Sequence, residues 1–141
     1  MKKNIQSLFF KVLLISIFPF LVNSCGTTVN FPVSDYLPAA DVKAKIKKDE
    51  NNIFEVTVKA DHMAEPKRLT PPQKRYIVWI VDIDGANHKI GELDPDKSKE
   101  AELNTMTPYE PVQLFITAED RKNPDWPSTY IVFKSEIFNL K

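Results

Sequence analysis

The residues of this chain that could do chemistry are few, and their spacing works against most of it. His62 and His88 are its only histidines and Cys25 its only cysteine. A zinc site built from four nitrogen and sulfur ligands needs more donors than these three supply, so no metal and no cofactor is expected. Asp82, Asp84 and Asn87 offer oxygens of the kind that hold calcium. An EF-hand loop sets its ligands at positions 1, 3 and 5 with glycine at 6. Here Gly85 follows Asp84 directly, which suits a hairpin turn better. Ser128, His88 and Asp120 contain the atoms of a hydrolytic triad, yet no G-x-S-x-G elbow surrounds the serine. No catalytic residue is assigned, and the chain reads as non-enzymatic.

Cys25 carries the strongest chemical signal, because of what precedes it. The chain opens Met1-Lys2-Lys3-Asn4, has a further cation at Lys11, and shows no acidic residue before Asp35. An apolar run of 11 residues covers Val12 to Val22. That length fits a secretory h-region and falls short of the roughly 20 residues needed to span a bilayer. Pro19 also disfavours an unbroken spanning helix. The run ends Leu21-Val22-Asn23-Ser24-Cys25-Gly26, which resembles a lipobox, the processing site of bacterial lipoproteins. Val22 stands where such sites usually carry leucine, and Ser24 is the expected small residue. The resemblance implies cleavage after residue 24 and lipidation of Cys25 with palmitate-type chains. Each buried methylene contributes about 0.8 kcal/mol, and two chains anchor a protein stably. The expectation is a protein of the bacterial cell envelope, extracytoplasmic and held to the membrane through its N-terminal lipid.

Beyond residues 1–24 lie 117 residues, the size of one domain. The three cations of the leader leave 16 basic residues against 19 acidic, a net charge of −3. A slightly acidic domain lacks the basic patch that nucleic-acid binding requires. With a single cysteine no internal disulfide can form, so the fold must rest on its apolar core. Eleven prolines against three glycines punctuate the chain outside its apolar runs, since proline cannot donate to a sheet ladder.

The elements that must position any site are strands. Residues 25–38 have no clear period and read as a flexible tether from Cys25 to a domain over 39–141. Val42, Ala44 and Ile46 then alternate with Lys43, Lys45 and Lys47, and Phe54, Val56, Val58 and Ala60 with Glu55, Thr57 and Lys59. Such period-two alternation marks strands with one dry face, here paired as a hairpin across Asp49–Asn52. Tyr76 to Val81 is apolar on both faces, as a central covered strand would be. Further strands are expected over 88–93, 101–105, 112–118 and 130–133. Seven short antiparallel strands and no helical period suggest an immunoglobulin-like β-sandwich, with an open barrel as the competing architecture. Tyr76, Trp79, Phe115, Tyr130 and Phe133 are expected to supply core volume, Trp79 lying across the interior.

The stretch Tyr76-Ile77-Val78-Trp79-Ile80-Val81-Asp82, Asp84-Gly85 and Ile90-Gly91-Glu92-Leu93 resembles the extracytoplasmic C-terminal domain of anti-sigma-K factors. Leu103 to Pro108 and Leu114 to Glu119 resemble that family's next strands. The likeness spans about residues 54–133. It implies a β-sandwich without enzymatic activity. It does not imply sigma-factor control, which also needs a cytoplasmic sigma-binding segment.

Strand counting places the proline-rich connections 62–74, 94–98 and 119–128 at one end, with the tether arriving there too. Trp126, in the loop Asn123-Pro124-Asp125-Trp126-Pro127, is of a type enriched at interface hot spots. With Lys67, Arg68, Arg121 and Lys122 it forms the expected surface for an envelope protein partner, facing the anchoring membrane or something held near it. The function expected is a lipid-anchored binding or structural module. The alternatives are a carrier or chaperone holding an apolar ligand inside the sandwich, and an envelope enzyme.

Overall fold

The computed structural model describes residues 25–141, so the leader expected over residues 1–24 lies outside the described residues. Eight strands form: β1 (Thr27–Asn30), β2 (Asp41–Lys48), β3 (Phe54–Asp61), β4 (Arg75–Asp82), β5 (Asn87–Leu93), β6 (Ala101–Thr107), β7 (Pro111–Glu119) and β8 (Ile131–Lys134). One short 3₁₀ turn, Pro66–Arg68, interrupts the β3–β4 connection. The fold is all-β. Two four-stranded antiparallel sheets, ordered β1-β2-β3-β6 and β5-β4-β7-β8, pack face to face.

Alternation explains the first sheet. Val42, Ala44 and Ile46 of β2 and Phe54, Val56, Val58 and Ala60 of β3 are buried against the second sheet, while their lysine and glutamate neighbours face outward. Tyr76, Val78 and Ile80 of β4 and Leu114, Ile116 and Ala118 of β7 complete the interior. Tyr76 donates its hydroxyl to the Ala64 carbonyl at 2.8 Å. Burial pushes its phenol pKa well above the usual tyrosine value, so the group stays a neutral donor.

Two expectations are corrected. There are eight strands rather than seven, and the extra one lies in the segment expected as tether. Thr27–Asn30 pairs with β2, Thr27 opposite Ile46 and Asn30 opposite Lys43, and Val29 is buried. Four residues with a single buried side chain are too short for alternation to show. Segment 31–40 then folds along the sandwich side, with Phe31 edge-on to Phe133 and Tyr36 edge-on to Tyr130. The second correction concerns Trp79. It is fully buried but on the outer face of the second sheet, in a separate cluster with Ile77 and Phe115. A strand that is apolar on both faces does not announce which face meets the other sheet.

Three tight connections share one design. Asp49, Asp82 and Asp96 each accept, on Oδ1, the backbone N–H groups two and four residues on: Asn51 and Ile53, Asp84 and Ala86, Ser98 and Glu100. The residue three positions on takes a positive φ: Asn52 at 59°, Gly85 at 83°, Lys99 at 64°. In each turn that left-handed residue donates its N–H to the aspartate's own carbonyl, and the aspartate side chain closes the turn from within.

Candidate functional site

Cys25 is exposed at the very start of the described residues. Only Gly26 separates it from β1, and Gly26 lies over β2, close to Lys45, Lys47 and the Ile46 carbonyl. Since β1 runs antiparallel to β2, Cys25 sits at the end of the sandwich where β2 finishes. The β2–β3, β4–β5 and β6–β7 connections share that end. Lys141 also returns to it, donating its backbone N–H to Thr27 Oγ1 at 3.1 Å.

The β3–β4, β5–β6 and β7–β8 connections do share the opposite end. Met63 N–H donates to the Lys99 carbonyl at 2.9 Å, and Lys74 N–H to the Glu119 carbonyl at 3.1 Å. Tyr130 donates its hydroxyl to the Thr70 carbonyl at 3.1 Å. The expectation that Cys25 arrives at this end is therefore corrected. Strand β1 reverses the chain once more and carries the cysteine to the far end.

The five residues of the expected partner surface come from two connections at this end, β3–β4 and β7–β8. Lys67 and Arg68 project from the 3₁₀ turn and meet Glu65, at 2.9 Å and 3.9 Å. The Lys67 hydrogen bond holds the Glu65 carboxyl below its usual pKa, with Arg68 adding to the effect. Arg121 and Lys122 are exposed where β7 ends. Trp126, 78% exposed, rides further along the same loop, which is laid back over the outer face of the second sheet. Pro124 is buried there, and Lys89 Nζ of β5 donates to Asn123 Oδ1 at 3.4 Å. Pro127 and Ser128 border a hollow of about 170 Å³ with Val81, Phe115 and Ile131. The loop thus roofs the cluster that contains Trp79, and Trp126 stands on its outside. Ser128 N–H donates to Glu119 Oε1 at 2.8 Å and fixes the loop's return.

The residues weighed for catalysis have other engagements. His88 Nε2 lies 2.7 Å from Asp82 Oδ2, and its ring stacks on Tyr109 with centroids 3.6 Å apart. The His88 hydrogen bond, followed by the Ala86 N–H, holds the Asp82 carboxyl below its usual pKa. Asp82 therefore commits one oxygen to the turn and the other to the imidazole. Sequence reasoning missed this pair, because His88 stands opposite Ile80 and reaches Asp82 diagonally, a contact visible only once the register is known. The Ser128 hydroxyl donates to the Ala118 carbonyl and accepts from Tyr130 N–H, so it is not drawn into a triad with His88.

A hollow of about 340 Å³ lies on the outer face of the first sheet among Lys43, Lys45, Lys59, Glu55 and Asp61. Lysine stems and acidic side chains line it, and it lies outside the inter-sheet interior. Comparison with family models, with curated proteins and with solved structures finds no match, so what this site does must be argued from its own geometry.

Proposed function

We propose that this protein is a lipid-anchored, extracytoplasmic, non-enzymatic module of the bacterial cell envelope that binds or braces an envelope protein partner. One observation carries the reading. The cysteine that closes the lipobox-like sequence is exposed at the edge of the folded unit, where an acyl chain can be attached without disturbing a buried group. The strand order supports an immunoglobulin-like sandwich. Strands β2-β3-β6 face β5-β4-β7-β8, the chain crosses between sheets at β3–β4, β5–β6 and β6–β7, and β1 is added at one edge. The likeness to the extracytoplasmic domain of anti-sigma-K factors enters as an analogy of fold; sigma-factor control is no part of the proposal. The carrier alternative wants an apolar hollow between the sheets, whereas the hollow of about 340 Å³ is lined by charged side chains on the outer face of the first sheet. Trp126 on its roof loop is the residue offered to a partner.

Labelled palmitate fed to cells expressing the full chain tests the reading. The native chain should incorporate label and partition with membranes. Cys25→Ala should lose both the label and membrane retention. A Cys25→Ala chain that is processed normally and still sediments with membranes overturns the proposal.

A further inference from the structure

Seven large apolar side chains are exposed among the described residues, and four of them, Ile83, Met106, Tyr109 and Ile137, lie toward the end that bears Cys25. Single exposed apolar residues need no explanation; their gathering around one end does. Ile83, 63% exposed, tips the β4–β5 turn. Tyr109, 46% exposed, stands beside that turn because its ring stacks on His88, which is bound to Asp82. Ile137, 75% exposed, precedes Phe138, whose N–H donates to the Val112 carbonyl at the start of β7. We infer that this rim, Ile83, Tyr109 and Ile137, rests on the bilayer surface and sets the orientation of the sandwich. The inference builds on the lipid-anchor reading above.

The anchor's position names the occupant. The lipobox-like sequence ends on Cys25, and Gly26 alone intervenes between Cys25 and β1. One extended residue spans about 3.5 Å. Hydrocarbon attached at Cys25 therefore brings this end against the headgroups, with no spacer to hold it away. Tyrosine suits that depth, with an apolar body and a polar tip. The charges around the rim are mixed: Lys47, Lys48 and Lys141 against Asp49, Asp84, Glu110 and Glu136. The contact is thus apolar in character rather than an attraction to anionic lipid. Lys67 marks the opposite end, an eight-residue strand away, or about 26 Å.

The processed, lipidated full chain is purified as Ile83→Cys, Ile137→Cys and Lys67→Cys variants. Acylation of Cys25 leaves each new thiol as the only one free to take a polarity-sensitive dye. The chains are then reconstituted in phosphatidylethanolamine–phosphatidylglycerol vesicles containing nitroxide-labelled lipid. Dyes at 83 and 137 should be quenched several-fold more than the dye at 67. Flotation with the vesicles combined with equal quenching at all three positions, or strongest quenching at 67, overturns the orientation alone. Flotation with no quenching at 83, together with disulfide-linked copies through position 83 when the dye is omitted, overturns it in favour of a second copy on the rim. Failure to float overturns the anchor reading and this inference together.

Discussion

At the scale of single residues, the two tryptophans divide the labour of the outer sheet face. Trp79 stacks parallel to Phe115, with centroids 6.2 Å apart at 9°, and donates its indole N–H to Thr117 Oγ1 at 2.9 Å in a buried setting. Removing the ring leaves both a cavity and an orphaned hydroxyl. Trp79→Ala should therefore cost about 3–5 kcal/mol in urea denaturation. Trp126 makes its mark outside, and Trp126→Ala should stay within about 0.5 kcal/mol of the native chain. The loop position of Trp126 was legible from its flanking prolines. The burial of Trp79 was legible from the apolar run, but its face was not; a hint lay in β7, where Gln113 and Thr117 share a face with Phe115 and make that side the more polar one. Asp82 supplies a pH signature. Its pKa is depressed in the folded chain, chiefly by His88, so its ionised form stabilises the fold above the ordinary carboxylate pKa of about 3.9. That contribution is lost as pH falls through the lower folded value. Asp82→Asn keeps an acceptor for the turn and removes the charge. The gap in thermal midpoint between native chain and variant should be open at pH 7 and close as pH falls below the ordinary carboxylate range; a gap unchanged with pH would deny the carboxylate this role.

At the scale of elements, the aspartate-closed turns decide how the strands reverse. Two of the three left-handed positions hold residues suited to them, Asn52 and Gly85; Lys99 does not fit so readily. A side chain in the left-handed region costs about 1–2 kcal/mol, and part of that is returned by the lower entropy of a non-glycine residue in the unfolded chain. Lys99→Gly should stabilise the domain by about 0.5–1 kcal/mol, readable as a raised urea midpoint with an unchanged slope. The carbonyl of Lys99, which accepts from Met63, belongs to the backbone and survives the change. Seven of the eight strands were legible: six carry alternation or a continuous apolar run between turn residues, and β5 follows as the return strand of the Asp84-Gly85 turn. Strand β1 was not, since Thr27, Thr28 and Asn30 are polar and only Val29 is buried. Its partner supplies the missing information: β2 shows a wet and a dry face, but nothing in its sequence says that its second edge is covered.

At the scale of the whole molecule, that one strand changes which end of the sandwich bears Cys25 and how firmly the domain is closed. Counting seven strands brings the chain in beside Trp126's loop; counting eight carries Cys25 to the other end, next to the β2–β3 turn and the returning Lys141. The same segment is part of the core rather than a lead-in to it. Val29 and Leu37 are buried, and Phe31 and Tyr36 each meet an aromatic ring of the second sheet's side. Burial of a valine or leucine side chain contributes about 1.5–3 kcal/mol, so loss of these two alone removes roughly 3–6 kcal/mol. A domain of this size holds only about 5–15 kcal/mol in all. Residues 39–141 on their own should therefore be marginal, whereas residues 25–141 should fold stably with a β-type circular dichroism spectrum. Truncation also strips the outer edge of β2, and an unpaired edge is a template for pairing with another chain. The shorter form should show a lower thermal midpoint and higher-order species in size-exclusion chromatography, and restoring residues 25–38 should reverse both. Equal midpoints for the two forms would mean that β1 and the segment after it are held by the domain without holding it in return.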